Sequence, residues 1–319
     1  MANGSRSLEL GIHLGQQNIS IDEVRALWRF ADTHGFAWMS IWDHFYDAGN
    51  DAAPHFEAIA LLGAMAAETT RLRFGCMVFS VHYRNLGVLA KAMITIDHLS
   101  GGRVEFGLGA GWHKPEYDAF GYTYGSDRER LNDLEEAMIA MQSLLRDDVT
   151  SHHGTLVHLN DAKMFPKPLQ QPLPLWVGGK GERRTARIAA RYADGWNIPY
   201  VSAEEYAHKM RVLDQWCAAE GRDPATIKRA VQLGMYTAAT SDPADVERGV
   251  NKLRTQMGRR AAGTLAGHLT GGPSEVIEKI ATYRAAGVTT LNIAIRPPID
   301  WDALHAFAQE VLPVVTSDE

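Results

Sequence analysis

FGCMVFSVHYR, residues 74–84, changes character halfway along its length. Phe74 to Phe79 form an almost unbroken apolar run, which is how a strand buried on both faces reads. The run then ends in Ser80, His82, Tyr83 and Arg84, four polar-tipped side chains delivered together. A core strand that stops this way fits a parallel sheet whose site is built at the carboxyl ends of its strands. The pattern repeats. FAWMSIWD (36–43) is followed by His44, RVEFGLGAG (103–111) by Trp112, PLWVGG (174–179) by Lys180, and DGWNIPY (194–200) ends in Tyr200. LELGIHL (8–14), KRAVQLGMYTA (228–238) and VTTLNIAI (288–295) complete a set of eight strands.

Helical patterns lie between them. Ser20 and Glu23 read as a capping box opening a helix with Ile21, Val24, Leu27, Trp28 and Ala31 on one face. Residues 56–69 and 86–99 follow, the second closed by Ser100-Gly101-Gly102. Ser126 and Glu129 open a helix whose Leu131, Leu134, Met138, Met141 and Leu145 keep one-sided spacing. Residues 147–174 are polar with four prolines and read as an insertion; helices at 274–287 and 301–312 come later. Strands alternating with helices, without a linker or a shift in composition, predict a single α/β domain over 1–319, a (β/α)8 TIM barrel. A doubly wound sheet would place GxGxxG after the first strand, where this chain has HLGQQNIS.

The 319 residues carry a net charge of −6, so no positive field exists to draw nucleic acid or an anionic membrane. The first residues contain no apolar segment of the kind that directs secretion, and no stretch is long enough to span a bilayer. Cys76 and Cys217 stand far apart, which predicts two reduced thiols and a cytoplasmic protein. The 13 histidines include no HExxH pattern, so no metal site is expected.

Two glycine-rich stretches narrow the ligand. GLGAG (107–111) lets backbone approach a flat molecule, because no Cβ intervenes. GGKGERR (178–184) joins a strand to a helix, and Gly178, Gly179 and Gly181 can turn N–H groups toward an anion at the helix N-terminus. A plain tight turn is the other reading of that segment. Lys180, Arg184, Arg187 and Arg191 fall on one helical face, suited either to an anionic cofactor tail or to solvent.

IWDHF, RLRFGCMVFSVHYR, TIDHLSGGRVEFGLGAGWHKPEYDAFGY and PLWVGGKGERRTARIAARYADGWN together resemble the bacterial-luciferase-like superfamily of flavin and deazaflavin oxidoreductases, over about residues 8–295. GAGW with Glu116 and Phe120-Gly121 looks most like the members that use coenzyme F420; members that use reduced FMN share much of the pattern. The resemblance implies a TIM barrel and hydride transfer between the deazaflavin C5 and a small organic substrate. The alternatives it leaves are a reduced-FMN monooxygenase and a non-catalytic flavin- or deazaflavin-binding protein. It implies a bulge with a non-proline cis peptide at Met77–Val78 backing the ring, with Ser80 following in the cofactor site. Asp43 and His44 match the pair at the pyrimidine edge of the ring. Gly109, Ala110 and Gly111 match the loop beside it, and Gly178, Gly179, Lys180 and Gly181 the phosphate loop. His44, Trp112 and Glu116 are the residues expected to act in catalysis. Family members are commonly dimers, and the helices at 56–69 and 86–99 are the expected contact. In one respect the chain departs from the deazaflavin-dependent sugar-phosphate dehydrogenases. Trp112 stands where they carry an acid, and FYDAGN after His44 lacks their Trp; Trp112 is instead suited to wall an apolar pocket.

Overall fold

The computed structural model describes residues 8–258 and 265–317. Eight parallel strands close into a barrel: β1 (Glu9–Leu14), β2 (Trp38–Ile41), β3 (Arg73–Ser80), β4 (Val104–Gly109), β7 (Leu175–Gly178), β8 (Gly195–Pro199), β9 (Lys228–Thr237) and β11 (Thr290–Ile295). β1 pairs with β11 on one side and β2 on the other, and the ring closes where Gly195 of β8 meets Lys228 of β9. All eight expected strands are present in the expected order.

Four elements escape the periodic reading. Thr150–His153 (β5) and His158–Ala162 (β6) form an antiparallel hairpin inside the 147–174 insertion. Their exposed, His- and Asp-bearing strands carry no apolar alternation to betray them. His268–Gly271 (β10) adds a short parallel strand beside the end of β9. Lys114–Phe120 (α4) is a seven-residue helix, too short to show a period.

Helices surround the barrel: α1 (Ile21–Thr33), α2 (Ala58–Glu68), α3 (Leu86–Ser100), α5 (Asp127–Arg146), α6 (Thr185–Tyr192), α7 (Ala203–Ala219), α8 (Pro243–Met257) and α9 (Pro273–Ala285). Ser126 and Glu129 make the reciprocal capping box in α5, whereas at α1 only the Ser20 side chain accepts, from the Glu23 N–H. Trp38 and Trp176 stack inside the barrel at 5.8 Å between ring centroids, against Met77 and Ala230. The Trp176 indole N–H donates to buried Glu105, whose charge Arg73 and Lys228 balance. This packed floor directs any ligand to the opposite, carboxyl end of the strands.

Among the described residues no helix is long and apolar enough to cross a membrane. Cys76 on β3 and Cys217 on α7 are both buried and unpaired. Thiol titration without reductant should therefore find two reactive groups after denaturation and a slow reaction beforehand; two thiols missing from an intact monomer would contradict this.

Candidate active site at the barrel mouth

A cavity of about 1130 Å³ opens at the carboxyl ends of the barrel strands. Single-ligand pockets run to roughly 300–1,000 Å³, so this one has room for a cofactor and a second molecule. Asp43, His44, Met77, Val78, Ser80, Gly109, Ala110, Gly111, Trp112, Gly178, Gly179 and Lys180 all line it. These residues lie up to 137 positions apart (from Asp43 to Lys180), and the barrel brings them into one cavity. Glu116 and Gly181 do not line it, and each difference has a cause.

Glu116 is fully buried behind His44. One carboxylate oxygen accepts from His44 Nδ1 at 2.8 Å and from the Tyr83 hydroxyl at 2.7 Å. The other accepts from the backbone N–H groups of Phe45 at 2.6 Å and Tyr46 at 3.3 Å. Burial alone would favour the neutral acid, but the bonds from His44, Tyr83 and Phe45 outweigh it and lower its pKa to about 2. An ionised Glu116 only accepts, so His44 Nδ1 carries the hydrogen and the lone pair of neutral His44 lies on Nε2. Glu116 thus acts through His44 as a positioning residue. Gly181 lies under Thr185, whose Oγ1 would sit 2.7 Å from an added Cβ, and it is Thr185 that reaches the cavity.

The four polar tips after Phe79 each have a separate task. Ser80 lines the cavity, and its hydroxyl bonds the buried Tyr117 hydroxyl at 3.0 Å. His82 bridges Tyr117 and Asp133, and Tyr83 holds Glu116. Arg84 clamps both oxygens of Asp43 at 2.7 and 2.8 Å, and the Ser80 N–H donates to the same carboxylate. Asp43 is therefore engaged in fixing β2 to the end of β3, although its edge reaches the cavity wall.

The glycines have a use that the sequence pattern did not reveal. β3 changes register between Cys76 and Phe79, and the Met77–Val78 peptide is cis. The bulge swings the Val78 side chain over β4 and β7. A Cβ on Gly107, Gly109 or Gly178 would come within 2.9, 2.4 or 2.8 Å of a Val78 methyl. Those glycines make room for Val78, which in turn presents the apolar wall. Gly111, at φ +69°, makes room for Tyr117, whose hydroxyl would lie 1.8 Å from an added Cβ.

At the glycine loop, the Gly179 N–H is already bonded to Asn197 O, so it is not an anion donor. α6 begins without a side-chain cap; its Ala186 N–H is bonded to Gly181 O at 2.9 Å, and Lys180 and Thr185 stand at its start on the cavity wall. The basic stripe turns away: Arg184 and Arg191 pair with Glu135, and Arg187 and Arg191 with Glu220. Of that stripe only Lys180 faces the cavity.

Several cavity residues carried no motif: His13, Gln17, Asn197, Tyr200, Gln232, His268 and Arg296. Their signal lay in polar residues inside or just after strand patterns, as in NIPY and IAIRPP. His13 Nε2, Gln17 Oε1, Asn197 Oδ1 and both ring nitrogens of His268 are buried without partners. An unmet buried polar atom costs about 1–3 kcal/mol, so the wall is built for a polar ligand. Burial, with the nearby Arg296 charge, lowers the His13 pKa to about 3 and that of His268 to about 4, so both stay neutral. Arg296 lies over the Trp42 ring at 5.2 Å and has no carboxylate partner among the described residues.

Residues 7–290 match the model of the luciferase-like monooxygenase family. The FMNH(2)-dependent dimethylsulfone monooxygenase of Pseudomonas putida is 30% identical over 330 residues, covering 92% of this chain and 88% of its own. The F420-dependent glucose-6-phosphate dehydrogenase of Microbacterium testaceum is 25% identical over 334 residues, covering 96% and 97%. Among solved structures, an F420-dependent secondary alcohol dehydrogenase in complex with an F420-acetone adduct superposes with a TM-score of 0.86 at 19% identity, covering 98% of this chain and all of that one. The closed parallel barrel, the bulge at Met77–Val78 and a match spanning nearly the whole chain lead to one conclusion: this protein belongs to the luciferase-like monooxygenase family.

Proposed function

We propose that the chain is an F420-dependent oxidoreductase that moves a hydride between the deazaflavin and a small organic substrate. The observation that carries this reading is the His44–Glu116 pair. Oxidising an alcohol-type carbon, or reducing the matching carbonyl, requires a partner for the proton that accompanies the hydride. His44 offers Nε2 to the cavity in a fixed tautomer, with its other nitrogen held at 2.8 Å by a buried carboxylate.

The residues present suit a flat polar ring with an anionic arm. Val78 and Met77 provide an apolar backing, and the unpartnered atoms of Asn197 and His13 provide polar contacts. Lys180, Thr185 and the uncapped start of α6 would receive a phosphate. When bound there, the deazaflavin supplies the hydride chemistry at its C5. The chain's share is to fix the ring face, shield it from water, and hold the proton on His44 Nε2. Trp112, 63% exposed and edge-on to His44 at 5.6 Å, would form an exposed wall for the substrate.

The Pseudomonas putida relative supports a second reading, a reduced-FMN monooxygenase using oxygen. Titration with F420 and FMN separately, followed by tryptophan fluorescence, separates the two. Trp42 and Trp112 line the cavity among eight tryptophans, so a ring bound there should quench emission. The proposal expects saturable quenching by F420 at concentrations at least about tenfold lower than by FMN, a difference of about 1.4 kcal/mol. The reverse order would select the monooxygenase.

A further inference from the structure

Ser80, Tyr117, His82 and Asp133 form one continuous chain of hydrogen bonds from the cavity to the surface. The Ser80 Oγ to Tyr117 hydroxyl distance is 3.0 Å, Tyr117 to His82 Nδ1 is 3.0 Å, and His82 Nε2 to Asp133 Oδ2 is 2.9 Å. Tyr117 is fully buried, the His82 side chain is nearly so, and the Asp133 side chain is 20% exposed. The chain passes directly beneath Gly111, the position where no side chain could fit.

Its polarity follows from donor counting. An Asp133 carboxylate only accepts, so Nε2 of His82 carries hydrogen and neutral His82 accepts at Nδ1. Tyr117 has one hydroxyl hydrogen, and Nδ1 takes it. The Ser80 hydroxyl must then donate to the Tyr117 oxygen, while Ser80 Oγ also lies 3.4 Å from the His82 backbone N–H. Every side-chain donor of the path therefore points away from the cavity. A second lone pair on Ser80 Oγ remains open to whatever the cavity holds.

We propose that this chain is a proton path out of the active-site cavity, with His82 as the acceptor and Asp133 as the residue that holds its charge and its tautomer. The source of the proton rests on the oxidoreductase reading above: a ligand hydroxyl that becomes a carbonyl as its hydride leaves. The step balances as follows. The ligand O–H bond breaks and its proton joins Ser80 Oγ. The Ser80 proton passes to Tyr117, and the Tyr117 proton passes to His82 Nδ1, giving an imidazolium against the Asp133 carboxylate. No heavy-atom bond changes and no electron enters or leaves the chain. Loss of the Nε2 proton to water at the partly exposed Asp133 leaves neutral His82 with its hydrogen on Nδ1; a tautomer exchange that returns the hydrogen to Nε2, with rotation of the two hydroxyls, restores the start. In the reducing direction the same chain delivers the proton.

The surroundings suit a relay at Tyr117. Burial, opposed by the Ser80 bond and the Arg130 charge and assisted by Tyr124 and Glu116, pushes its pKa up to about 12, so it hands protons on without remaining ionised. The groups that face His82 are Asp133 from α5 and Tyr117 from α4. Arg130 is itself turned toward the Tyr124 ring and Gly111 O. Ser80, Tyr117, His82 and Asp133 share no side-chain hydrogen bond with His44 or Glu116, although Tyr117 follows Glu116 on α4, so one cavity carries two separate proton-handling groups.

Two measurements test the path. Nitrogen-15 NMR of histidine-labelled, ligand-free protein, with the His82 signal assigned by its loss in His82→Gln, should show the Nε2–H tautomer. An Nδ1–H tautomer reverses the polarity and overturns the proposal. Tyr117→Phe removes one oxygen and should leave F420 quenching unchanged, while single-turnover hydride transfer slows about tenfold or more. The solvent deuterium isotope effect and the pH dependence of that step should change with it. An unchanged rate and pH profile in Tyr117→Phe refutes the path; Ser80→Ala, which breaks the chain at its other end, serves if Tyr117→Phe does not fold. Failure of wild-type protein to bind F420 removes the cofactor assignment instead, and the NMR result then decides the path by itself.

Discussion

Replacing His44 by alanine should slow turnover by about 10²–10⁴-fold, the range in which a positioned general acid or base contributes, or roughly 3–5 kcal/mol of barrier. Cofactor affinity should change by less than about threefold, because the residues proposed to hold the ring and the phosphate are Val78, Asn197, Lys180 and Thr185 rather than His44. The loss belongs in kcat as well as kcat/KM, since His44 acts on a proton that moves only in the reacting complex. Added imidazole should restore part of the rate, because the deletion leaves space between Glu116 and the edge of Trp112. Turnover close to wild type with the true substrate would reduce His44 to a residue that merely shapes the cavity. The pH dependence of turnover separates the two proton-handling groups. If His44→Ala and Tyr117→Phe each remove a different limb of the pH profile, the two groups act on different protons.

Much of this arrangement was legible before the structure. Burial leaves a strong imprint on strands in a parallel barrel, so the eight apolar runs and the polar tips that end them could be read from one sequence. The cavity-lining residues carried on those tips follow directly: His44 just beyond β2, Ser80 closing β3, Gly109 to Trp112 at the end of β4, Gly178 to Lys180 at the end of β7. What could not be read were partnerships across the barrel. Nothing in GWHKPEY indicates that Glu116 lies behind a histidine 72 positions earlier, and nothing in DHLSGGRVEFGLGAG indicates that its glycines yield space to Val78. Periodicity describes which face of one element is buried, and such contacts depend on how neighbouring strands are staggered. The arginines of GGKGERRTARIAAR illustrate the converse error. Their spacing marks one helical face correctly, yet that face meets Glu135 on α5 and Glu220 after α7, so the charge is consumed in joining helices. The hairpin at 150–162 left no imprint, because exposed short strands bury too little to pattern their residues.

Glu116→Gln should cost both activity and acid-dependent stability, and the two losses have different pH signatures. The amide keeps the shape of the carboxylate but brings a donor where His44 Nδ1 and the Tyr83 hydroxyl both need an acceptor. If the amide nitrogen turns toward His44, Nδ1 becomes the acceptor and Nε2 acquires the hydrogen, which removes the base without moving the ring. Turnover should then fall about as far as in His44→Ala. For stability, the Glu116 carboxyl drops from an ordinary value of 4.5 when unfolded to about 2 when folded. A depressed carboxyl stabilises the fold fully above its unfolded pKa and loses that contribution as pH falls through the folded value. The contribution is about 3 kcal/mol at pH 7, is reduced by more than half near pH 3, and is almost gone by about pH 2. Urea denaturation of wild type and Glu116→Gln at pH 7 and again at pH 3 should therefore show a stability gap that narrows on acidification. A gap of constant size would mean that Glu116 is retained for hydrogen bonds that an amide cannot copy, and that its charge adds nothing to the fold.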